Sequence, residues 1–315
     1  MNLSALRYLM ALQEHRHFGR AAAACHITQP ALSNAIRALE EELNVVIVKR
    51  DRSFSGLTPE GERVLESAQL ILHEAANLQQ ALASATHLPN GPLRIAAVPT
   101  AIPIAARFAG MLHARHPAIQ PVVLSLSSAE LELGLQDLSI DMALGYVDRL
   151  QAMEKKLRSL PQYTEHYFLL RRAVAPGSTP GLQIGPPLAW KAAAALPLCL
   201  LTRTMHNRTL VDAAFATAGT HVVPAMETNS IMTMMLSVVA GQVCSILPGS
   251  LVDTVRGYPG LEALPLTAPD MQIKIAFMSH AQVRPSRALE AALALAQDAA
   301  WLRHAAAHSG LLMAT

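Results

Sequence analysis

Residues 28–43 constrain the N-terminal part of the chain most, because they read as one helix with two unlike faces. Thr28 stands at a capping position, and Pro30 is tolerated in a first turn whose amide donors have no helical partner. Leu32, Ala35, Ile36, Leu39 and Leu43 fall on one apolar stripe. At about 100° per residue, Pro30, Ser33, Asn34, Arg37 and Glu41 lie opposite. Such a stripe needs other helices to cover it. Leu3, Leu6, Leu9 and Met10 recur at helical spacing, with Ser4 as a cap near the start and an end near His15. A short second helix is expected over 19–25 (GRAAAAC), then a tight turn at His26 and Ile27. A polar, partly basic face on the third helix of a tri-helical unit is what a major-groove reader requires. Gln29, Pro30, Ser33, Asn34 and Arg37 are its candidate DNA contacts.

Residues 45–48 (VVIV) predict a short strand, followed by Lys49, Arg50, Arg52 and a glycine-containing turn. That is a β-wing suited to phosphate contact rather than base reading, with Arg50 and Arg52 as the candidate residues. Residues 1–58 hold seven Lys/Arg against five Asp/Glu, an excess too small to show DNA binding by itself. On charge alone, the polar face could equally be a solvated one.

The stretch Ala21-Ala22, Thr28-Gln29-Pro30-Ala31-Leu32-Ser33, Ile36, Leu39-Glu40, Leu43, Arg50 and Leu57-Thr58-Pro59-Glu60-Gly61 resembles the N-terminal signature of LysR-type transcriptional regulators. Two positions depart from it: Asn44 stands where the family usually has glycine, and Val48 where it usually has phenylalanine. The resemblance implies a winged helix-turn-helix over 1–58 and a dimerisation helix after it.

Thr58 caps that next helix, with Pro59 at its first position and Glu60 and Glu62 in its first turn. Val64, Ala68, Ile71, Ala75, Leu78 and Leu82 follow at spacings of 4, 3, 4, 3 and 4, a coiled-coil seam. The same stripe would also serve a helix packed on its own domain. The linker helix is expected over 59–86 and a hinge over 87–92 (HLPNGP), where Pro and Gly end one domain and begin another.

From Leu93 onward, short apolar runs alternate with helical stretches. LRIAAV, a helix over 102–116, PVVLSLS, a helix over 129–138 and IDMALGYV give a βαβαβ order, hence a parallel sheet covered by helices. EHYFLLR, PLCLLT, HVVPAME and VCSIL, with helices near 207–218 and 231–240, form a second such set. IKIAF and a single helix over 287–303 capped by Ser286 close the chain. The fold class is therefore α/β, with an N-terminal all-α winged helix-turn-helix, a linker helix and two α/β subdomains. These look like the periplasmic-binding-protein type found in LysR-type effector domains. The expected effector-binding domain is 93–315, with subdomain I at 93–162 and 268–303 and subdomain II at 163–267.

In such folds ligands lie at strand carboxyl ends, between the halves. Thr100, Ser127, Ser128, Thr202, Thr204, His206, Thr228 and Asn229 fall there, and hydroxyls at helix starts suit a small anion. Each could also be an ordinary helix cap. Cys25, Cys199 and Cys244 show no metal or CxxC spacing. They read as core thiols, with a redox pair of Cys199 and Cys244 as the alternative. His304 and His308 have ligand spacing but no third ligand in sequence, so no metal and no cofactor are expected. GxSxG, GxxxxGK[ST], GxGxxG after a strand and HExxH are all missing, so the chain is not expected to be an enzyme.

Only Arg7 is basic in the first ten residues, and the uncharged run 228–252 is broken by Asn229, Gly241, Gln242 and Pro248. The expectation is a cytoplasmic protein without membrane contact. The resemblance implies a LysR-type regulator that binds double-stranded DNA, takes a small, anionic metabolite as effector and pairs as a homodimer that doubles to a homotetramer, with RNA polymerase as a further candidate partner. The alternative is a small-molecule-binding module with little DNA-binding role. LTPEGERVLE, VLSLSSAEL, LPLCLLT and ETNSI resemble the subgroup encoded beside formate dehydrogenase operons.

Overall fold

The computed structural model describes residues 2–50, 54–83, 88–149, 156–174, 181–310 and 312, with the side chains of residues 50, 80, 81 and 83 left undescribed. The chain divides into two compact units, Met1–His87 and Leu88–Thr315.

The first unit runs α1 (Leu3–His15), α2 (Phe18–Ala24), α3 (Gln29–Leu43), β1 (Val48–Arg50), β2 (Phe54–Leu57) and α4 (Pro59–Ala83). Asn2, not Ser4, caps α1, its Oδ1 accepting the Ser4 amide at 2.9 Å. α2 starts earlier than expected because His17 Nδ1 accepts the amides of Gly19 and Arg20. Leu6, Leu9 and Leu12 of α1 close over Leu32, Ile36 and Leu39 of α3. Leu43, 38 % exposed, drops off the end of that stripe.

The expected strand over 45–48 begins only at Val48. Glu40 explains the shift: its Oε1 accepts the amides of Ile47 at 2.9 Å and Val48 at 3.0 Å, tying the lead-in to α3 instead of to a partner strand. Asn44 ends α3 in the left-handed conformation (φ 52°, ψ 43°), which asparagine tolerates better than most side chains and glycine better still. Gly61 has no such freedom to give up: a Cβ there would lie 2.1 Å from the Ile47 carbonyl oxygen. Phe54 anchors the wing edge-on against Phe18, with ring centroids 6.3 Å apart, under the Arg16 guanidinium.

The second unit contains β3 (Gly91–Ala97), a 3-10 turn Pro99–Ala101, α5 (Ile102–Arg115), β4 (Ile119–Ser125), α6 (Ser128–Gln136), β5 (Met142–Tyr146) and β6 (Leu157–Arg172). Next come β7 (Gln183–Ile184), β8 (Leu188–Ala189), α7 (Trp190–Ala193), β9 (Leu198–Leu201), α8 (His206–Thr217), β10 (Met226–Thr228), α9 (Ile231–Ala240), β11 (Cys244–Pro248) and α10 (Gly249–Val252). A 3-10 turn Asp253–Val255, β12 (Leu261–Thr267), β13 (Gln272–His280), α11 (Arg287–Ala296) and α12 (Ala299–Ala307) complete it. β3 starts inside the expected hinge 87–92, and residue 87 of that hinge and 84–86 of the expected linker helix lie outside the described residues.

The strand order is β10-β9-β11-β6-β13-β5-β3-β4, with β12 also beside β6. β4-β3-β5 and β10-β9-β11 are parallel, as the alternation predicts, but β6 and β13 run antiparallel to their neighbours. The sheet is therefore mixed. β6, a strand of 16 residues, passes from one half to the other: Leu157–His166 pair with β13, and from Tyr167 the partners are β11 and β12. Its first part escaped the sequence reading because Arg158, Ser159, Pro161 and Gln162 interrupt any apolar run. The change of partner falls after His166, beyond the expected boundary at 162.

One core lies in the half of β3–β5 and two, on opposite faces of the sheet, in the half of β9–β11. Phe108, Phe277 and Trp301 stack in one half, and Trp190 meets Phe215 edge-on at 5.0 Å in the other. The expected single helix over 287–303 is two helices, because Asp298 breaks the run and caps α12 through the amides of Ala300 and Trp301. No helix among the described residues is long and apolar enough to cross a membrane.

Candidate nucleic-acid interface and effector cleft

α3 presents Gln29, Pro30, Asn34 and Arg37 to solvent, with Ser33 partly covered. Thr28 fixes the start of this face by accepting the Ala31 amide. Leu32, Ile36 and Leu39 hold the other face in the core, so the outward direction of Asn34 and Arg37 is set by packing. Lys49 is exposed on β1, Arg50 is described only in its backbone, and Arg52 lies outside the described residues.

α4 splits the expected seam. Ala68 is 0 % exposed within its own unit, and Val64 and Ile71 pack on that same core. Ala75 is half-buried. Leu78 and Leu82 stand 58 % and 76 % exposed. One stripe thus serves two surfaces, with its N-terminal part spent on the unit itself.

In the second unit the strand ends meet where the halves face each other. Thr100 is 1 % exposed and its hydroxyl lies 2.8 Å from that of Tyr146, so a ligand would reach it only after that bond opened. Ser127 caps α6, and Glu130 folds back to accept from both its amide and its hydroxyl at 2.7 Å. The chain's own carboxylate therefore sits where an effector's was expected, and these two bonds hold it below the usual carboxylate range. Ser128 differs: its hydroxyl is buried without a partner among the described residues. Thr202 and Thr204 bond each other at 3.1 Å, and Thr228 accepts the Ser230 amide at 3.1 Å. Asn229 is exposed at the rim of an apolar cavity of about 530 Å³ between α5 and α9.

His206 bridges the halves. Its Nε2 lies 3.2 Å from Asp148 Oδ2, just past β5, and its ring meets Tyr146 at 5.0 Å. A second bridge joins Arg107 of α5 to Asp253 at 3.0 Å, and Asp253 also receives Arg256 and His308. Arg208, 2 % exposed, locks the end of β9 by donating to the Leu201 carbonyl, Asp212 and Glu227.

Sequence reading missed the buried polar cluster behind these residues. Tyr163, Glu165 and Tyr167 alternate onto one face of β6, and Asn207 donates to Tyr167 at 2.7 Å. Burial pushes the Glu165 carboxyl up to about 8 and holds the three tyrosines of the cluster, Tyr146 included, well above their ordinary range. The signal was a carboxylate at period two between two tyrosines in YTEHY.

The cysteine alternative fails on geometry. Cys199 pairs in register with Ser245, so Cys244 projects to the opposite face of the sheet. The two thiols belong to different cores. Burial raises the pKa of Cys25, Cys199 and Cys244 alike, the reverse of an activated thiolate.

Residues 3–62 match the family described as "Bacterial regulatory helix-turn-helix protein, lysR family", and 86–301 match "LysR substrate binding domain". The chain is 30% identical over 289 residues to a hydrogen peroxide-inducible genes activator of Pectobacterium carotovorum, covering 88% of this chain and 90% of that one. It is 29% identical to the Escherichia coli (strain K12) dual regulator OxyR, covering 86% of each. Among solved structures, full-length OxyR C199D of Pseudomonas aeruginosa matches with TM-score 0.70 and 26% identity over 99% of this chain and 98% of that one. CbnR in complex with its target DNA shares the fold at TM-score 0.59 and 20% identity, over 97% and 100%.

Proposed function

Because this chain belongs to the LysR family of bacterial DNA-binding transcriptional regulators, we propose that α3 reads its operator through Asn34 and Arg37, with Gln29, Pro30 and Ser33 beside them. Lys49, Arg50 and Arg52 of the wing contact phosphate. Leu78 and Leu82 pair two copies along α4, and dimers join as tetramers on cytoplasmic DNA. The exposed Leu78 and Leu82, left over when Ala68 is spent on its own unit, support that pairing.

The effector is a small anionic metabolite held between the halves by Ser128, Thr202, Thr204, His206, Thr228 and Asn229, with Thr100 and Ser127 framing the site. The observation that carries this is the Ser128 hydroxyl in the first turn of α6, buried without a partner among the described residues, in the half that the Asp148–His206 contact ties to the other. Relatives are named for induction by hydrogen peroxide. The placement of Cys199 and Cys244 on opposite faces of the sheet, in different cores, supports effector binding over a Cys199–Cys244 redox switch as its primary signal.

A finer placement, beside formate dehydrogenase and related one-carbon operons, rests on the four stretches quoted above. Footprinting the adjacent promoter with formate and other small acids tests both readings. A footprint that changes with an acid, and no longer does so in Ser128→Val, supports them. An acid response that Ser128→Val leaves intact overturns the site.

A further inference from the structure

Glu165 sits where β6 leaves β13 for β11 and β12, the point at which the chain crosses between halves. It is 0 % exposed. Among the described residues its hydrogen-bond partners are two neutral hydroxyls, Ser250 at 3.4 Å from Oε1 and Tyr167 at 3.5 Å from Oε2. A buried carboxylate on such terms lacks the cation or the short donors that would hold its charge.

Counting protons fixes the direction of these bonds. The Ser250 hydroxyl has one proton and gives it to the backbone carbonyl of Thr100 at 2.9 Å. The Ser250–Glu165 contact is then a hydrogen bond only when the carboxyl donates. Ser250 belongs to α10, in the half that follows the crossing, and Thr100 to the turn after β3 in the other half.

We propose that Glu165 is a proton-binding site whose occupancy couples the two halves. The protonated carboxyl donates to Ser250, and Ser250 donates across to Thr100. When the proton leaves to water, the carboxylate claims the Ser250 hydroxyl and the Thr100 carbonyl loses its partner. Thr100 holds Tyr146, whose ring rests on His206, so the change reaches the strand ends that frame the effector cleft. The strong upward displacement of the Glu165 carboxyl by burial, to about 8, agrees with this count. Proton binding at Glu165 is independent of which effector occupies the cleft.

Among the described residues packed around it, Glu165 is the acid in play. Tyr163 and Tyr167 of β6 and Tyr146 of β5 stay neutral, their phenols raised by burial. α8 presents Asn207 to Tyr167 and His206 to Asp148. Asp253, just past α10, is engaged by Arg107, Arg256 and His308.

The sign follows from linkage. The folded chain keeps a proton that the unfolded chain releases in the ordinary carboxylate range. The stabilisation is therefore full below that range and is lost as pH rises through about 8. The test compares full-length wild type with Glu165→Gln, a neutral isostere, by thermal unfolding from pH 5 to 9. The expected wild-type minus variant difference in melting temperature falls steadily with pH and levels off above about 8. A difference that is flat with pH overturns the proposal. Should Glu165→Gln fail to fold, infrared difference spectra of the wild type decide instead. A protonated carboxyl band at pH 7 that disappears by pH 9 is expected, and its absence at pH 7 overturns the proposal. Coupling is read separately on wild-type DNA complexes. The footprint at pH 7 should differ from that at pH 9, and identical footprints overturn the coupling.

Discussion

The hydroxyl of Thr100, just beyond β3, lies 2.8 Å from the hydroxyl of Tyr146 at the end of β5, so two neighbouring strand ends are joined directly by side chains. Both residues are buried, at 1 % and 3 % exposure. Thr100→Val should deprive the buried Tyr146 hydroxyl of its Thr100 partner and cost about 1–3 kcal/mol in urea unfolding. Adding Tyr146→Phe should recover part of that loss, because a buried polar atom without a partner costs more than an absent pair. Additive losses in the double variant would show that the bond contributes nothing specific.

On DNA, Arg37→Ala should cost about 1–3 kcal/mol on the specific site and relax sequence preference, since Arg37 lies on the exposed face of α3. Lys49→Ala should weaken all sequences alike and lower the salt slope by about one. Binding isotherms on specific and random duplexes at several salt concentrations check both. Unchanged preference in Arg37→Ala would refute the face assignment.

Assembly should depend on the exposed end of α4. Leu78→Glu with Leu82→Glu is expected to give monomers by sedimentation with the helical signal retained, because both side chains face solvent in the single chain. Ala68→Glu should instead unfold the first unit, since a charge would be buried in its core. Intact dimers of the double variant would rule α4 out as the pairing surface.

Asn44→Gly should leave stability within a few tenths of a kcal/mol, whereas Asn44→Val should cost on the order of 1–2 kcal/mol, because φ is 52° there. Thermal melts of the two variants give the comparison. Equal melting temperatures would mean that the α3 terminus relaxes freely.

Peroxide treatment should not join Cys199 to Cys244, which project to opposite faces of the sheet. Mass spectrometry under non-reducing conditions should find both thiols free in folded protein. A Cys199–Cys244 peptide would contradict the strand register.

Local pattern determined α3, whereas the starts of α2 and β1 were set by His17 and Glu40. Thr28, Pro30 and the stripe Leu32–Ile36–Leu39 specify α3 by capping and 3.6-residue periodicity, and the outward position of Asn34 and Arg37 follows from the same geometry. The βα alternation from Leu93 likewise gave two α/β halves. Tertiary structure decided what periodicity cannot see. Val64, Ala68 and Leu78 share one stripe, and only packing against α1 and β2 shows that the first two are spent within the unit. Glu165 in sequence is one carboxylate among polar neighbours. It becomes a candidate proton site only because β6 crosses between halves there and α10 brings Ser250 onto it from residues far along the chain. Helix and strand periods are local, so the sequence displays them. Desolvation and hydrogen-bond counting depend on which distant residues meet, and that is a property of the fold.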